Sequence, residues 1–195
     1  MRQGRVERKT KETEILLTLD LDGAGRADVH TGVGFLDHML ELLAFHGNFD
    51  LIVRCQGDTA VDDHHSVEDI GIALGQALAE ALGDKKGIVR YGNFLLPMDE
   101  ALVLCAVDLC GRDTLGYRVL IPTEKVGAFD TELVEEFLLA FTRNAKAAIH
   151  FVQMAGTNSH HIIEAVFKGL GRALRQAVAI DPSRAGETPS SKGML

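Results

Sequence analysis

The chain has 195 residues, 46 % of them apolar, and a formal net charge of −8, which allows one substantial core or two small packed halves and argues against generic nucleic-acid binding. No apolar run reaches membrane-spanning length, and the polar start Met1-Arg2-Gln3-Gly4-Arg5-Val6-Glu7 lacks a signal-peptide core, so we expect no membrane association and a cytoplasmic location. Cys55, Cys105 and Cys110 are odd in number and form no Cys-x-x-Cys pair, which predicts buried reduced thiols.

Residues 3–9, 13–20 and about 26–31 read as strands, with Leu17, Leu19 and Leu21 alternating against Leu16, Thr18 and Asp20 and a turn at Asp22-Gly23. A helix over about 35–46 carries Phe35, Met39, Leu42, Leu43 and His46 at helical spacing. A strand at Leu51–Cys55 follows, then a helix over about 64–82 with Ile70, Leu74, Leu78 and Leu82. Gly83-Asp84-Lys85-Lys86-Gly87 punctuates the chain. Strands are predicted near 88–96, 100–109 and 115–120, then a helix capped by Asp130 and running to about 147. A strand near 148–155 leads to Asn158-Ser159, a cap for a helix to about 179. The fold class is therefore α+β in two pseudo-symmetric halves, residues 1–85 and 86–180, each strands, helix, strand, helix, followed by a tail at 181–195.

The decisive pattern is a dyad that occurs twice: His64-His65-Ser66-Val67-Glu68 and His160-His161-Ile162-Ile163-Glu164. On a helix one imidazole lies beside the glutamate one turn on, while its neighbour projects about 100° away, so a single dyad does not easily wrap one ion. One such motif also fits a helix start with a solvated carboxylate; two copies argue for two ions in a shared, pseudo-symmetric site. Upstream, Asp37-His38-Met39-Leu40 and Glu135-Glu136-Phe137-Leu138 precede their dyads at similar intervals, which points to an internal repeat. The candidate ligands are His38, His64, His65 and Glu68 in one half and Glu136, His160, His161 and Glu164 in the other. Four ligands per ion leave open positions, hence chemistry, and imidazole with carboxylate suits manganese, iron or zinc.

Three features suit a phosphate. Arg90 and Arg112 offer guanidinium forks, and Ser190-Ser191-Lys192-Gly193 offers hydroxyls, backbone donors and a cation; read alone, the tail is equally an irregular terminus. Gly32-Val33-Gly34 is no nucleotide fingerprint. His30 has no role, and His150, without a dyad partner, is assigned to strand packing.

The chain resembles the imidazoleglycerol-phosphate dehydratase family. The resemblance rests on Gly34-Phe35-Leu36-Asp37-His38-Met39-Leu40, Asp62-Asp63-His64-His65 with Glu68-Asp69, Asn158-Ser159-His160-His161 with Glu164-Ala165, Phe167-Lys168, and Pro189-Ser190-Ser191-Lys192-Gly193. It implies tandem halves of ferredoxin-like (ribosomal protein S5 domain 2-like) fold with sheets packed on helices. It also implies two Mn2+ per subunit, and a cage-like homo-oligomer of twenty-four subunits with sites between neighbours. The implied reaction is dehydration of imidazole glycerol phosphate to imidazole acetol phosphate, with the metal acting as a Lewis acid on the substrate's imidazole. By the same resemblance Glu12 reaches the substrate and is the candidate general acid-base. His38 and His46 join the substrate-contacting set, and Asp99-Glu100 orients ligands or substrate, while His46 reads equally as a satisfied helix-face histidine. Many relatives carry His where this chain has Glu136. Two rival functions share the metals: a two-metal phosphoester or amide hydrolase, and a non-enzymatic metal-binding cage.

Overall fold

The computed structural model describes residues 2–195. In the first half, β1 (Gln3–Lys9), β2 (Thr13–Asp20), β3 (Ala27–His30), α1 (Gly34–Gly47), β4 (Asp50–Gly57) and α2 (His64–Leu82) form a four-stranded sheet in the order β1-β2-β4-β3 with two helices on one face. In the second, β5 (Tyr91–Met98), β6 (Ala101–Asp108), β7 (Thr114–Arg118), α3 (Leu133–Ala145), β10 (Ala148–Ala155) and α4 (Ser159–Val178) repeat that plan, with sheet order β5-β6-β10-β7. A short hairpin, β8 (Lys125–Val126) with β9 (Phe129–Asp130), interrupts the second half. Sequence periodicity did not reveal it, and Asp130 caps no helix: it lies in β9 and pairs with Lys125 at 2.8 Å.

The period-2 alternation of β2 and β6 buries every second residue, Ile15, Leu17 and Leu19 in one and Val103, Cys105 and Val107 in the other. Those faces cover the helices, and the helices pair across the halves, α2 with α3 and α1 with α4. The layering is sheet, helices, helices, sheet. Phe137, Phe141 and Phe167 are buried in the seam, each contributing on the order of 1.5–3 kcal/mol of hydrophobic stabilisation.

Glycines set the helix separation. A Cβ at Gly71 would lie 2.7 Å from the Phe137 carbonyl oxygen and one at Gly75 2.5 Å from that of Phe141, so contacts advance in the same direction along α2 and α3 and the helices run parallel. Gly171 meets the Leu43 carbonyl oxygen at 2.6 Å in the same way. Gly75 and Gly171 each stand eleven residues after the first histidine of a dyad, so Leu43 and Phe141 correspond, and with them His38 and Glu136. Parallel pairing brings the N-terminal ends of the helices, where both dyads begin, to one end of the layer.

Candidate functional site

Asn158 caps α4: its side-chain oxygen accepts the N–H groups of His160 at 2.9 Å and His161 at 3.3 Å, fixing the second dyad on the first helical turn. On α1, Asp37 accepts the Thr31 N–H at 2.8 Å and the Thr31 hydroxyl, anchoring the turn that carries His38. These two helix starts converge. His38 Nε2 lies 3.0 Å and His160 Nε2 3.1 Å from the same Glu164 oxygen, and the ligand atoms of the three residues lie within 4.8 Å of one another. Lys168, one turn further along α4, donates to the other Glu164 oxygen at 2.5 Å. Burial pushes the Glu164 carboxyl up, but Lys168, His38 and His160 outweigh it and hold it down at about 2. Two imidazoles and a carboxylate kept ionised are a donor set that fits a divalent first-row ion.

The other histidine of each dyad is flanked by two acids. His161 Nδ1 pairs with Glu100 at 2.7 Å while its Nε2 faces Asp99 at 3.6 Å. Glu100 is held at about 2 by His161 and by the N–H groups of Asn158 and Thr157. His65 Nδ1 pairs with Asp58 at 3.0 Å, which raises the imidazole's pKa, and its Nε2 faces Glu12 at 3.8 Å. A carboxylate on Nδ1 fixes ring orientation and leaves Nε2 available as a ligand atom. Ring centroids within the two dyads are 6.3 and 6.4 Å apart, the same splay in both halves.

A family model for imidazoleglycerol-phosphate dehydratase matches residues 31–174. The chain belongs to that family. The imidazoleglycerol-phosphate dehydratase of Cereibacter sphaeroides is 57 % identical over 195 residues, covering all of both chains, and that of Prochlorococcus marinus is 54 % identical over 194 residues, covering all of this chain and 96 % of the relative. Among solved structures, the dehydratase from Staphylococcus aureus has a TM-score of 0.84 at 43 % identity, covering 92 % of this chain and 99 % of the other. The Pyrococcus furiosus enzyme in complex with (S)-C348 has a TM-score of 0.84 at 37 % identity, covering 97 % and 100 %.

Of the eight ligand candidates of this dehydratase-family chain, His38, His160 and Glu164 come together. His64 and Glu68 are 3.7 Å apart, and among the described residues no third candidate joins them in a cluster; half-buried Glu136 has neither an ion pair nor a side-chain hydrogen bond. His46 is half-buried with Nδ1 unpartnered, and burial, then Arg172 and Lys168, lower its pKa. His30 pairs with Asp28 at 3.2 Å, and His150 lies exposed on β10. Cys105 and Cys110 are buried and Cys55 half-buried, all as free thiols.

The phosphate candidates cluster elsewhere. Arg90 binds Asp108 through Nε at 2.7 Å and donates to the Pro189 carbonyl at 3.0 Å, docking the tail whose Ser190 oxygens accept the N–H groups of Lys192 and Gly193. Gly87 donates to Glu187 and accepts from Asp181, and Arg112 is exposed beside Gly111, which lies against Leu195. Sequence reasoning missed Asp58, whose contact with His65 no local pattern announces, and gave Lys168 no role although its spacing from Glu164 is one helical turn.

Proposed function

We propose that this chain removes water from imidazole glycerol phosphate to give imidazole acetol phosphate in histidine biosynthesis, as a metal-dependent hydro-lyase. The observation that carries this is the convergence of His38 and Glu164, from different halves, with His160 in a chain of the dehydratase family.

We assign one ion to His38, His160 and Glu164 and a second to the corresponding positions Glu136, His64 and Glu68, with His65 and His161 completing the two spheres. Manganese is the metal of choice on family resemblance, with iron or zinc compatible with the donors. A bound divalent ion supplies Lewis-acid polarisation of the substrate's imidazole and so assists loss of the hydroxyl on the carbon beside the ring. The remaining work belongs to side chains. Glu12, across from His65, is the group we assign to proton transfer at the non-acidic carbon. Asp58 and Glu100 orient His65 and His161. Arg90, Arg112, Ser190, Ser191 and Lys192 bind the phosphate, and His46 lines the substrate path.

Spacing supports a site shared between chains. The Arg90 N–H donates to the carbonyl of Ala177, seventeen positions after His160 on α4, so the two ends of that helix span roughly 26 Å at 1.5 Å per residue. That exceeds the length of a phosphorylated imidazole glycerol, so the phosphate cluster of one subunit must serve the metal ligands of another. A homo-oligomer, a cage of twenty-four on family resemblance, meets that requirement, with residues 1–85 and 86–180 as repeated halves and the 181–195 tail completing a neighbour's site. Free thiols fit a reducing cytoplasm. Elemental analysis of active protein should find two divalent ions per chain, and His160→Ala should lower metal content and turnover together, by more than the roughly 10–100-fold that loss of a ligand's outer hydrogen-bond partner costs. Active protein without stoichiometric transition metal would overturn the reading.

A further inference from the structure

Arg8, Thr13 and Asp69 form a polar cluster outside both the ligand set and the phosphate cluster, buried at Thr13 and Asp69 and half-buried at Arg8. One Asp69 oxygen accepts the Thr13 hydroxyl at 2.5 Å and Arg8 Nη1 at 2.6 Å, with Asp69 7 % and Thr13 3 % exposed. Burying an ion pair is a weak route to stability, since well-packed apolar residues often serve as well or better.

The molecule contains its own comparison. β2 and β6 bury alternate residues from their first positions, Thr13 and Ala101; Arg8 pairs with Ile15 as Leu96 pairs with Val103; Asp69 follows His64 by the same interval as Ala165 follows His160. A Cβ at Gly4 or Gly92 would strike the carbonyl of Ala77 or Ala173, which confirms the register of both hairpins on their helices. Where the first half has Arg8, Thr13 and Asp69, the second thus has Leu96, Ala101 and Ala165, all buried. The same architecture closes on an apolar trio, so packing alone does not call for the charged one.

What differs is the hairpin tip above each trio. In the first half the tip holds Glu12; the Thr10 hydroxyl accepts the N–H of Glu12 at 3.1 Å and of Thr13 at 3.0 Å and lies 3.4 Å from the Thr13 hydroxyl that Asp69 binds. A continuous chain of contacts therefore runs from Asp69 through Thr13 and Thr10 to Glu12. Asp69 sits one turn beyond His65 on α2, on the same face, and Glu12 faces that imidazole at 3.8 Å. In the second half the tip is the Asp99-Glu100 turn, and Glu100 fixes itself by accepting the N–H groups of Thr157 and Asn158.

We infer that Arg8, Thr13 and Asp69 are positioning residues that tie the Glu12 tip to the first turns of α2 and set its carboxylate opposite His65. The catalytic consequence rests on the reading of Glu12 as the proton-transfer group; the tie itself does not. The test grafts the second half's trio onto the first: Arg8→Leu, Thr13→Ala, Asp69→Ala in the metal-loaded full chain. Metal stoichiometry and the thermal midpoint should stay at wild-type values. Amide exchange at Glu12 and Thr13 should quicken by about 10-fold or more, and kcat should fall by up to about 100-fold with little change in KM. Thr13→Ser should restore wild-type behaviour by keeping the hydroxyl. Thr13→Ala alone gives the same two readouts should the triple variant fail to fold. Wild-type exchange at the tip overturns the tie, as does a loss of kcat that tracks loss of metal. Glu12→Gln separates the two ideas: full turnover in that variant removes the role of Glu12, while the exchange data still decide the tie.

Discussion

Glu136 is the residue on which the metal assignment is most exposed. It corresponds to His38 by the glycine contacts of the paired helices, yet it stands half-buried with no partner, beside a helix face that already carries Glu68. As a ligand it makes one ion's sphere more anionic than the other's. Glu136→His should keep two ions while shifting selectivity toward softer metals, and Glu136→Ala should lower occupancy of one ion. Full occupancy with wild-type turnover in Glu136→Ala would remove it from the ligand set. A second residue carries a clean acid-side prediction. The Asp50 carboxylate accepts the N–H groups of Arg26 and Ala24, at 3.0 and 2.8 Å, which lowers its pKa below the ordinary 3.8. Its contribution to holding the β2–β3 loop is therefore present above pH 3.8 and is lost as pH falls through the depressed folded value. An NMR titration of Asp50 with its midpoint at or above 3.8 would contradict this. At this scale the sequence was most informative where chemistry and spacing coincide: the dyads and the Asn158 cap were legible because their partners lie within one helical turn. The roles of Asp58 and Arg8 were not, because they depend on contacts made across strands and helices, with His65 and Asp69.

Elements were legible wherever periodicity ran unbroken. The strands at 3–9, 13–20 and 148–155 and the helix at 64–82 stand where alternation and helical spacing put them. The β8–β9 hairpin was missed because strands of two residues carry no period, and its formation moved the start of α3 past Asp130 to Leu133. The glycines that set helix and strand approach are invisible as such in sequence, since each needs a partner from another element. Their energetic weight is testable. A Cβ on Gly92 would lie 1.9 Å from the Ala173 carbonyl oxygen, backbone against backbone, so neither side can yield. Gly92→Ala should cost on the order of 3 kcal/mol, read as a drop in thermal midpoint of roughly 6–12 °C. Gly83→Ala supplies a control for backbone strain alone, having positive φ but open space around it. Equal losses in the two variants would show that the close approach of β5 to α4 is not what the glycine serves.

On the proposed assignment, metal ligands and phosphate-binding groups sit at opposite ends of α4 and meet only across a subunit boundary. His160→Ala and Arg112→Ala damage different ends of one chain, the second weakening substrate binding by about 1–3 kcal/mol. Co-expressed, the two variants should form mixed assemblies in which some sites draw an intact His160 from one chain and an intact Arg112 from its neighbour. Turnover well above the sum of the separate variants is the expected result. Activity no better than that sum would place the whole site within one chain and require the tail to fold toward the dyads.

The reaction itself is decided by identifying its product. Metal-loaded protein is incubated with imidazole glycerol phosphate and followed by 1H and 31P NMR, beside the same protein stripped by a chelator and then reloaded with manganese. The predicted result is imidazole acetol phosphate with its phosphate ester intact, formed by the loaded and reloaded protein and not by the stripped one. Release of inorganic phosphate, or equal product formation by the stripped protein, would contradict a metal-dependent dehydratase.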